Sequence, residues 1–293
     1  MKKLIVFSLA ILLFQGCSKD DTQDAATTGG TNSGGLATVP STFTQKVLME
    51  IFTGAGQSQS TDGFAKLENI LSANSSKTIP VHIHFADGME IAQYTSLTNA
   101  FSNGNPMTIP SGMVNRTASL SYAILNRTQW QSNFDIAKVK TAKCGLAIES
   151  AINGTDATIT VHAGFNQVLS GSYTLTTYIV EENVTGTGNQ YDQRNAYNST
   201  GGHPYNSLGD PIIGHQHKYT LRKVLSAPLG DAISSTSLIQ GGKEIKVYTT
   251  STNGLKTADT YVVAFITKTG TSATTYEVMN VQRVKLGSTQ SWD

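Results

Sequence analysis

Lys46-Val-Leu-Met-Glu-Ile-Phe-Thr-Gly-Ala-Gly-Gln-Ser-Gln-Ser-Thr61 is the stretch on which the reading of the fold turns. Lys46 to Phe52 is a mostly apolar run, too short for a helix and closed by the glycine-rich Thr53 to Gly56, so it predicts a buried strand and a tight turn. Asp62 then stands where a helix N-cap belongs, and Phe64, Leu67, Ile70 and Leu71 recur at the three- and four-residue spacing of one helical face. Ile79 to Phe85 (Ile-Pro-Val-His-Ile-His-Phe) predicts a second strand, and Glu90 to Phe101 a second helix with the stripe Ile91, Tyr94, Leu97 and Phe101. Strand, helix, strand, helix is the order of a parallel α/β unit, here given the bounds 43–141.

Past residue 142 the helical period vanishes. Gly145–Ala151, Ala157–Ala163, Tyr173–Glu181, Lys218–Leu225, Lys243–Thr249, Asp259–Thr267 and Tyr276–Leu286 are β-rich runs separated by Asn, Gly, Ser and Asp, which predicts an antiparallel β-sandwich domain over 142–293. The Asn183–Gly214 connection, rich in Tyr, Asn, Gly and His, far exceeds ordinary loop length, and long ordered loops are often functional. Residues 18–42 hold no aromatic and almost no large aliphatic side chain, so they predict a flexible tether. Before them, Lys2 and Lys3 precede Leu4 to Phe14, an apolar run broken only by Ser8 and ending at Gln15-Gly16-Cys17. Eleven residues at a helical rise cover about half of a bilayer core, so residues 1–17 read as a signal peptide cut just ahead of Cys17 and not as a span.

Lys and Arg total 21 against 20 Asp and Glu, a formal net charge of +1, so there is no electrostatic case for a nucleic-acid partner. The chain has no Gly-x-Ser-x-Gly elbow, phosphate loop, His-Glu-x-x-His helix or Asp-x-Asp-x-Asp calcium loop. Of its two cysteines, Cys17 ends the leader, and Cys144 opens an apolar run that predicts a buried, unreactive thiol; no disulfide framework is available.

Glu50, Thr53 and Gly54 match a Glu-x-x-Thr-Gly-x-x-Cys-x-x-Cys pattern, and Ile109-Pro-Ser-Gly-Met-Val-Asn-Arg116 matches a Pro-x-Gly-x-x-Asn-Arg stretch. Further short matches run through Tyr178–Asn183, Gly214–Arg222, Leu229–Asp231 and Val278–Gln282. On these motifs the chain resembles the Omp28-related outer membrane proteins, over nearly all of its length after the leader. The resemblance implies a thioredoxin-like N-terminal domain in which Pro110 faces the redox loop, commonly as a cis proline. It also puts Gln57 and Ser60 where the two cysteines would stand. Gln15-Gly16-Cys17 resembles a lipobox, with Phe14 where Leu is usual, which implies lipid on Cys17. Ser18-Lys-Asp-Asp21 resembles the acidic signal of Bacteroidetes surface lipoproteins, implying export to the outer face of the outer membrane. Triacylation would anchor such a chain stably.

Disulfide exchange requires a thiolate and a resolving thiol. Gln57 does not ionise, and Ser60 has no activating neighbour in sequence, so this site is expected to be redox-inactive and the protein not an enzyme. The edge beside Pro110 could still accept an extended peptide. His82 and His84, and again His215 and His217, lie two residues apart, so each pair points to one face. A pair with Asp87 or Asp210 could hold zinc, but no third ligand can be named, and hydrogen bonds that pin the structure are the simpler role, so neither metal nor cofactor is assigned. Tyr191, Tyr197, His203 and Tyr205 have the composition of an adaptable binding surface, or else anchor the long loop. Ligand contact is therefore assigned to Gln57, Ser60, Pro110, Tyr191, Tyr205, His215 and His217. The sequence thus predicts a lipid-anchored binding or adhesion module whose partner beyond the membrane is a peptide, a glycan or an envelope protein. The alternatives are a peptide-binding chaperone derived from an oxidoreductase, and an envelope scaffold.

Overall fold

The computed structural model describes residues 36, 38–102, 104–117, 123–272 and 275–293. The leader at 1–17, Cys17 and residues 18–35 of the expected tether lie outside the described residues. Strand β1 (Val47–Thr53) is buried at every position and runs parallel to β2 (Thr78–His84), Val47 opposite Thr78 through to Thr53 opposite His84. Helix α1 (Ser60–Asn74) crosses between them, and its Phe64, Leu67 and Ile70 face inward as their spacing requires. It begins two residues before Asp62, which sits in the first turn instead of at the N-cap, where its charge still suits the helix dipole.

Helix α2 (Tyr94–Ser102) starts later than the Ile91 stripe suggests. Glu90 is held in a turn, its carboxylate accepting from the Ala86 amide at 2.6 Å. Strands β3 (Ser111–Val114) and β4 (Leu125–Asn126) add antiparallel to β1 in turn. Helix α3 (Trp130–Ala137) buries Trp130, Phe134 and Ala137. These last three elements escaped the sequence reading because two to eight residues are too few to show a period.

The remaining strands are β5 (Cys144–Asn153), β6 (Asp156–Phe165), β7 (Ser172–Glu181), β8 (Thr220–Val224), β9 (Asp231–Ala232), β10 (Lys243–Ser251), β11 (Thr260–Thr269), β12 (Glu277–Lys285) and β13 (Thr289–Gln290). Each of the seven β-rich runs is a strand. The strands past residue 142 do not all keep to a sheet of their own, however. β8 pairs with β2 at His82 and Thr220, so one nine-stranded sheet runs β12-β11-β7-β8-β2-β1-β3-β4, with β9 on β7. The chain from Gly34 to Asp293 is one compact mixed α/β unit. A strand-rich sequence advertises strands but not which sheet they join, and here the C-terminal strands complete the N-terminal sheet.

The second sheet, β10-β6-β5-β13, packs on the β7, β11 and β12 part of the first. Leu146, Ile148, Ile159, Val161 and Phe165 meet Leu175, Ile179, Val262, Ala264 and Ile266 in one core. Cys144 is buried there as a free thiol, as its apolar run predicts, and burial pushes its pKa up to about 12. A second core joins Leu48, Phe52, Ile83, Leu97 and Phe101 to Tyr178, Leu221, Phe265 and Val281. The β12 end of the large sheet comes back over it against β1 and the end of β3. The Val278 amide donates to the Asn115 carbonyl at 2.7 Å, and Lys46 N donates to Asn280 Oδ1 at 3.0 Å. The end of the expected tether is docked, not free: Leu36 is buried, and Val39 lies with Trp292 over Gly164, where a Cβ would meet them at 2.9–3.0 Å.

Candidate functional site

The turn after β1 is built from its own backbone: Gln57 N donates to Gly54 O at 3.0 Å, and Ser60 N to Gln57 O at 2.9 Å. Ser60 is fully buried with its Oγ unpartnered, so no base activates it, and Gln57 is half-buried. Pro110, reached through a cis Ile109–Pro110 bond, lies against the first turn of α1. The contact needs Gly63, since a Cβ there would stand 3.0 Å from the proline ring and 3.4 Å from Trp130.

The long loop covers this turn. Arg194 N donates to Ala55 O at 2.8 Å and Ala196 N to Ser58 O at 3.0 Å, while Gln193 Nε2 reaches Gln57 O at 3.1 Å. Thr61 Oγ1 meets Asn195 Oδ1 at 3.2 Å, and the Tyr197 hydroxyl donates to Gln59 Oε1 at 2.7 Å. Asn195 also donates to the carbonyls of Tyr205 and Gly209, and Asp210 accepts from the Asn195 amide while pairing with Arg194. The loop residues that make this cover, Gln193 and Asn195, were not singled out by the sequence, because their partners lie more than 130 positions away.

The loop aromatics turn toward the chain and not away from it. Tyr191 packs into the space left by Gly88 and Gly186, where a Cβ at either glycine would stand 2.3–2.8 Å from its ring. Tyr205 contacts Phe64, His203 and His215, and His203 stacks on Tyr197 at 4.1 Å between centroids. Of the two roles the sequence leaves open for Tyr191 and Tyr205, these contacts are those of loop anchors, since a long polar excursion must bury some apolar surface to stay ordered.

The two histidine pairs, separate in sequence, come together. His82 and His84 point to the α1 side of β2, where His82 stacks on Phe64 at 5.2 Å. His217 lies 5.1 Å from His84 and 4.7 Å from His215, centroid to centroid. Asp87 accepts from His84 Nδ1 at 2.7 Å, from Ala55 N at 2.7 Å and from Met89 N at 2.8 Å, so it ties the cluster to the turn after β1. Asp210 serves Arg194 and no histidine. His217 Nε2 meets the Tyr191 carbonyl at 2.7 Å; a carbonyl only accepts, so this nitrogen carries the proton. By the same reasoning His84 is protonated on Nδ1, and His82 donates to the Lys218 carbonyl. His84 Nε2, His217 Nδ1 and His82 Nε2 are left buried without a partner. Each such atom costs about 1–3 kcal/mol if it stays dry. Burial first, then neighbouring imidazoles, bring His217 down to about 3, and burial, His84 and Lys218 bring His215 to about 4. A cavity of about 70 Å³ lined by Phe64, Glu68, His82, Tyr205, His215 and Lys218 opens beside the cluster. Among the described residues no three His, Cys, Asp or Glu are gathered on one point as a metal would require, and no helix is long and apolar enough to cross a membrane.

Among solved structures, HBP35 of Porphyromonas gingivalis superposes with a TM-score of 0.63 at 18% identity, covering 83% of this chain and 76% of its own. A structural-genomics protein from Agrobacterium tumefaciens superposes at 0.50 with 9% identity, over 85% of this chain and 97% of its own. At these identities the likeness speaks for the fold alone. No curated protein matches the chain. The family model described as outer membrane protein Omp28 matches residues 99–290, from within α2 through β13 and including the loop, Pro110 and His215–His217. With well over half of its 293 residues matched, the chain belongs to the outer membrane protein Omp28 family.

Proposed function

We propose that this protein is a non-catalytic binding module held at the outer membrane surface by lipid on Cys17, and that its β1–α3 portion is a thioredoxin-like unit without redox chemistry, followed by a β-sandwich. What supports the reading is the cover over the turn after β1. Gln57 and Ser60 carry no thiol, and residues 193–197 occupy the approach to them through the Arg194 and Ala196 amides. A site sealed by its own chain can neither transfer electrons nor admit a substrate disulfide. The accessible side of the same loop, where Leu208 and Ile213 are exposed, is then the better contact surface for a peptide, glycan or envelope protein. Purified full-length chain in detergent should reduce insulin no faster than buffer does. A rate above buffer that drops on altering residues 57–60 would overturn the reading. For the anchor, cells fed labelled palmitate should label the wild type and not Cys17→Ser, which should also leave the membrane fraction.

One observation favours a peptide-binding role as a second reading. A cleft of about 290 Å³, lined by Met107, Thr108, Ser111, Leu125 and Asn126, lies beside β4, the last strand of the large sheet among the described residues. A peptide laid there would add backbone hydrogen bonds to the sheet.

A further inference from the structure

We propose that β10 is a self-association edge, on which a second copy of this chain pairs antiparallel about a two-fold axis at Ile245, so that the small sheets of two molecules become one. β10 ends its sheet, whose order is β10-β6-β5-β13, and among the described residues no strand lies on its outer side. Its register on β6 fixes which backbone groups face that side. Thr252 N donates to Thr155 O at 2.7 Å and Phe165 N to Gly242 O at 3.1 Å, so the even-numbered residues between them turn their N–H and C=O toward β6. In an antiparallel ladder these alternate with residues whose N–H and C=O point the other way, here Lys243, Ile245, Val247 and Thr249. Such a row is a template for another strand, and proteins commonly blunt it with charge. β10 does not: Ile245 and Val247 are 47% and 62% exposed, while Glu244 and Lys246 project from the opposite face and pair with each other at 3.0 Å.

Charge complementarity names the occupant. Lys243-Glu244-Ile245-Lys246-Val247 is complementary to itself when reversed about Ile245. In that register Glu244 of each molecule stands opposite Lys246 of the other, Ile245 meets its own copy, and Val247 lies under the aliphatic stem of Lys243. The pairs of Lys243 with Val247, of Ile245 with itself and of Val247 with Lys243 each exchange two backbone bonds, about six in all. Moving the axis one residue to Lys246 sets lysine directly against lysine, which destabilises a strand pair. Moving it further carries the ladder toward Ser251, whose carbonyl already accepts from Lys223 Nζ. The interface is isologous, each molecule offering the same patch, so it closes at two copies and leaves no edge to grow a fibre.

The test is sedimentation velocity of the full-length chain in density-matched detergent, from about 1 to 100 µM, which spans the weak end of specific interfaces. The protein mass should double as concentration rises. Ile245→Lys and Ile245→Glu each set like charges face to face and should weaken the dimer about tenfold. An equal mixture of the two variants should associate at least as well as wild type, because lysine then faces glutamate. Ile136→Lys, on the 64% exposed position of α3, should associate as wild type does. Should either Ile245 variant fail to fold by circular dichroism, hydrogen exchange of the wild type decides. The outward amides of Ile245 and Val247 should slow at the higher concentration, and those of Lys246 and Tyr248, which face β6, should not change. A monomer throughout the range, a dimer indifferent to both Ile245 variants, no rescue on mixing them, or exchange independent of concentration would overturn the proposal. None of these outcomes depends on whether the protein is a binding module.

Discussion

Arg116 lies between the rings of Phe101 and Phe265, 4.7 Å from each centroid, and holds Glu50 through two hydrogen bonds of 2.7 Å, with the Tyr178 hydroxyl accepting from the same guanidinium at 2.9 Å. Burial alone would lower the Arg116 pKa, but the Glu50 charge outweighs it and raises it. This pair joins β1, the end of β3, β7 and β11 at one point. Glu50→Ala or Arg116→Ala should therefore cost about 3–5 kcal/mol, because each strands a charge in the core, whereas replacing both by apolar residues should cost far less. Urea unfolding of the three variants measures it. The pair was legible only in half. Glu50 stands out as the one charge in an apolar strand after Lys46, but its partner lies 66 positions on, and no local pattern links them.

At the scale of elements, the covering loop is held by a few directional bonds and not by a large apolar face. The Asn195 side chain makes four of them, to Thr61, Tyr197, Tyr205 and Gly209. Asn195→Ala should cost about 1–3 kcal/mol, the penalty for leaving buried groups unpaired, and should raise the hydrogen exchange of the amides at 57, 60, 194 and 196 before it affects the sheets. Under the loop, burial would raise the Asp62 carboxyl, but its bond to Arg127 and the charges of Lys66 and Arg127 hold it below 3.8. A carboxyl with a depressed folded-state pKa stabilises above its unfolded value and loses that contribution as pH falls through the folded one. Denaturant midpoints at pH 3 and pH 6 should thus differ more for the wild type than for Asp62→Asn. Both long strands and amphipathic helices were readable because their periods repeat. The loop path was not, since Asn, Gly and Tyr specify a turn-rich excursion without specifying where it lands.

For the whole molecule, the bond between His82 of β2 and the strand that begins at Thr220 makes the two halves one body. Residues 43–141 and 142–293 expressed separately should each be insoluble or molten, and should regain native circular dichroism only when mixed, because each half alone exposes the core that joins Leu48 and Phe52 to Tyr178 and Phe265. Two halves that fold cooperatively by themselves would contradict the continuous sheet.

What the sequence determined by itself was whatever depends on neighbours along the chain: strand and helix periods, the buried thiol in the run that opens at Cys144, and the absence of sulfur at Gln57 and Ser60. Tertiary structure alone decided that β8 enters the first sheet, that Gln193 and Asn195 close the turn after β1, and that two histidine pairs 133 residues apart become one cluster. The physical reason is that periodicity encodes which face of an element is buried, whereas the identity of what buries it depends on long-range packing that no short window of sequence contains.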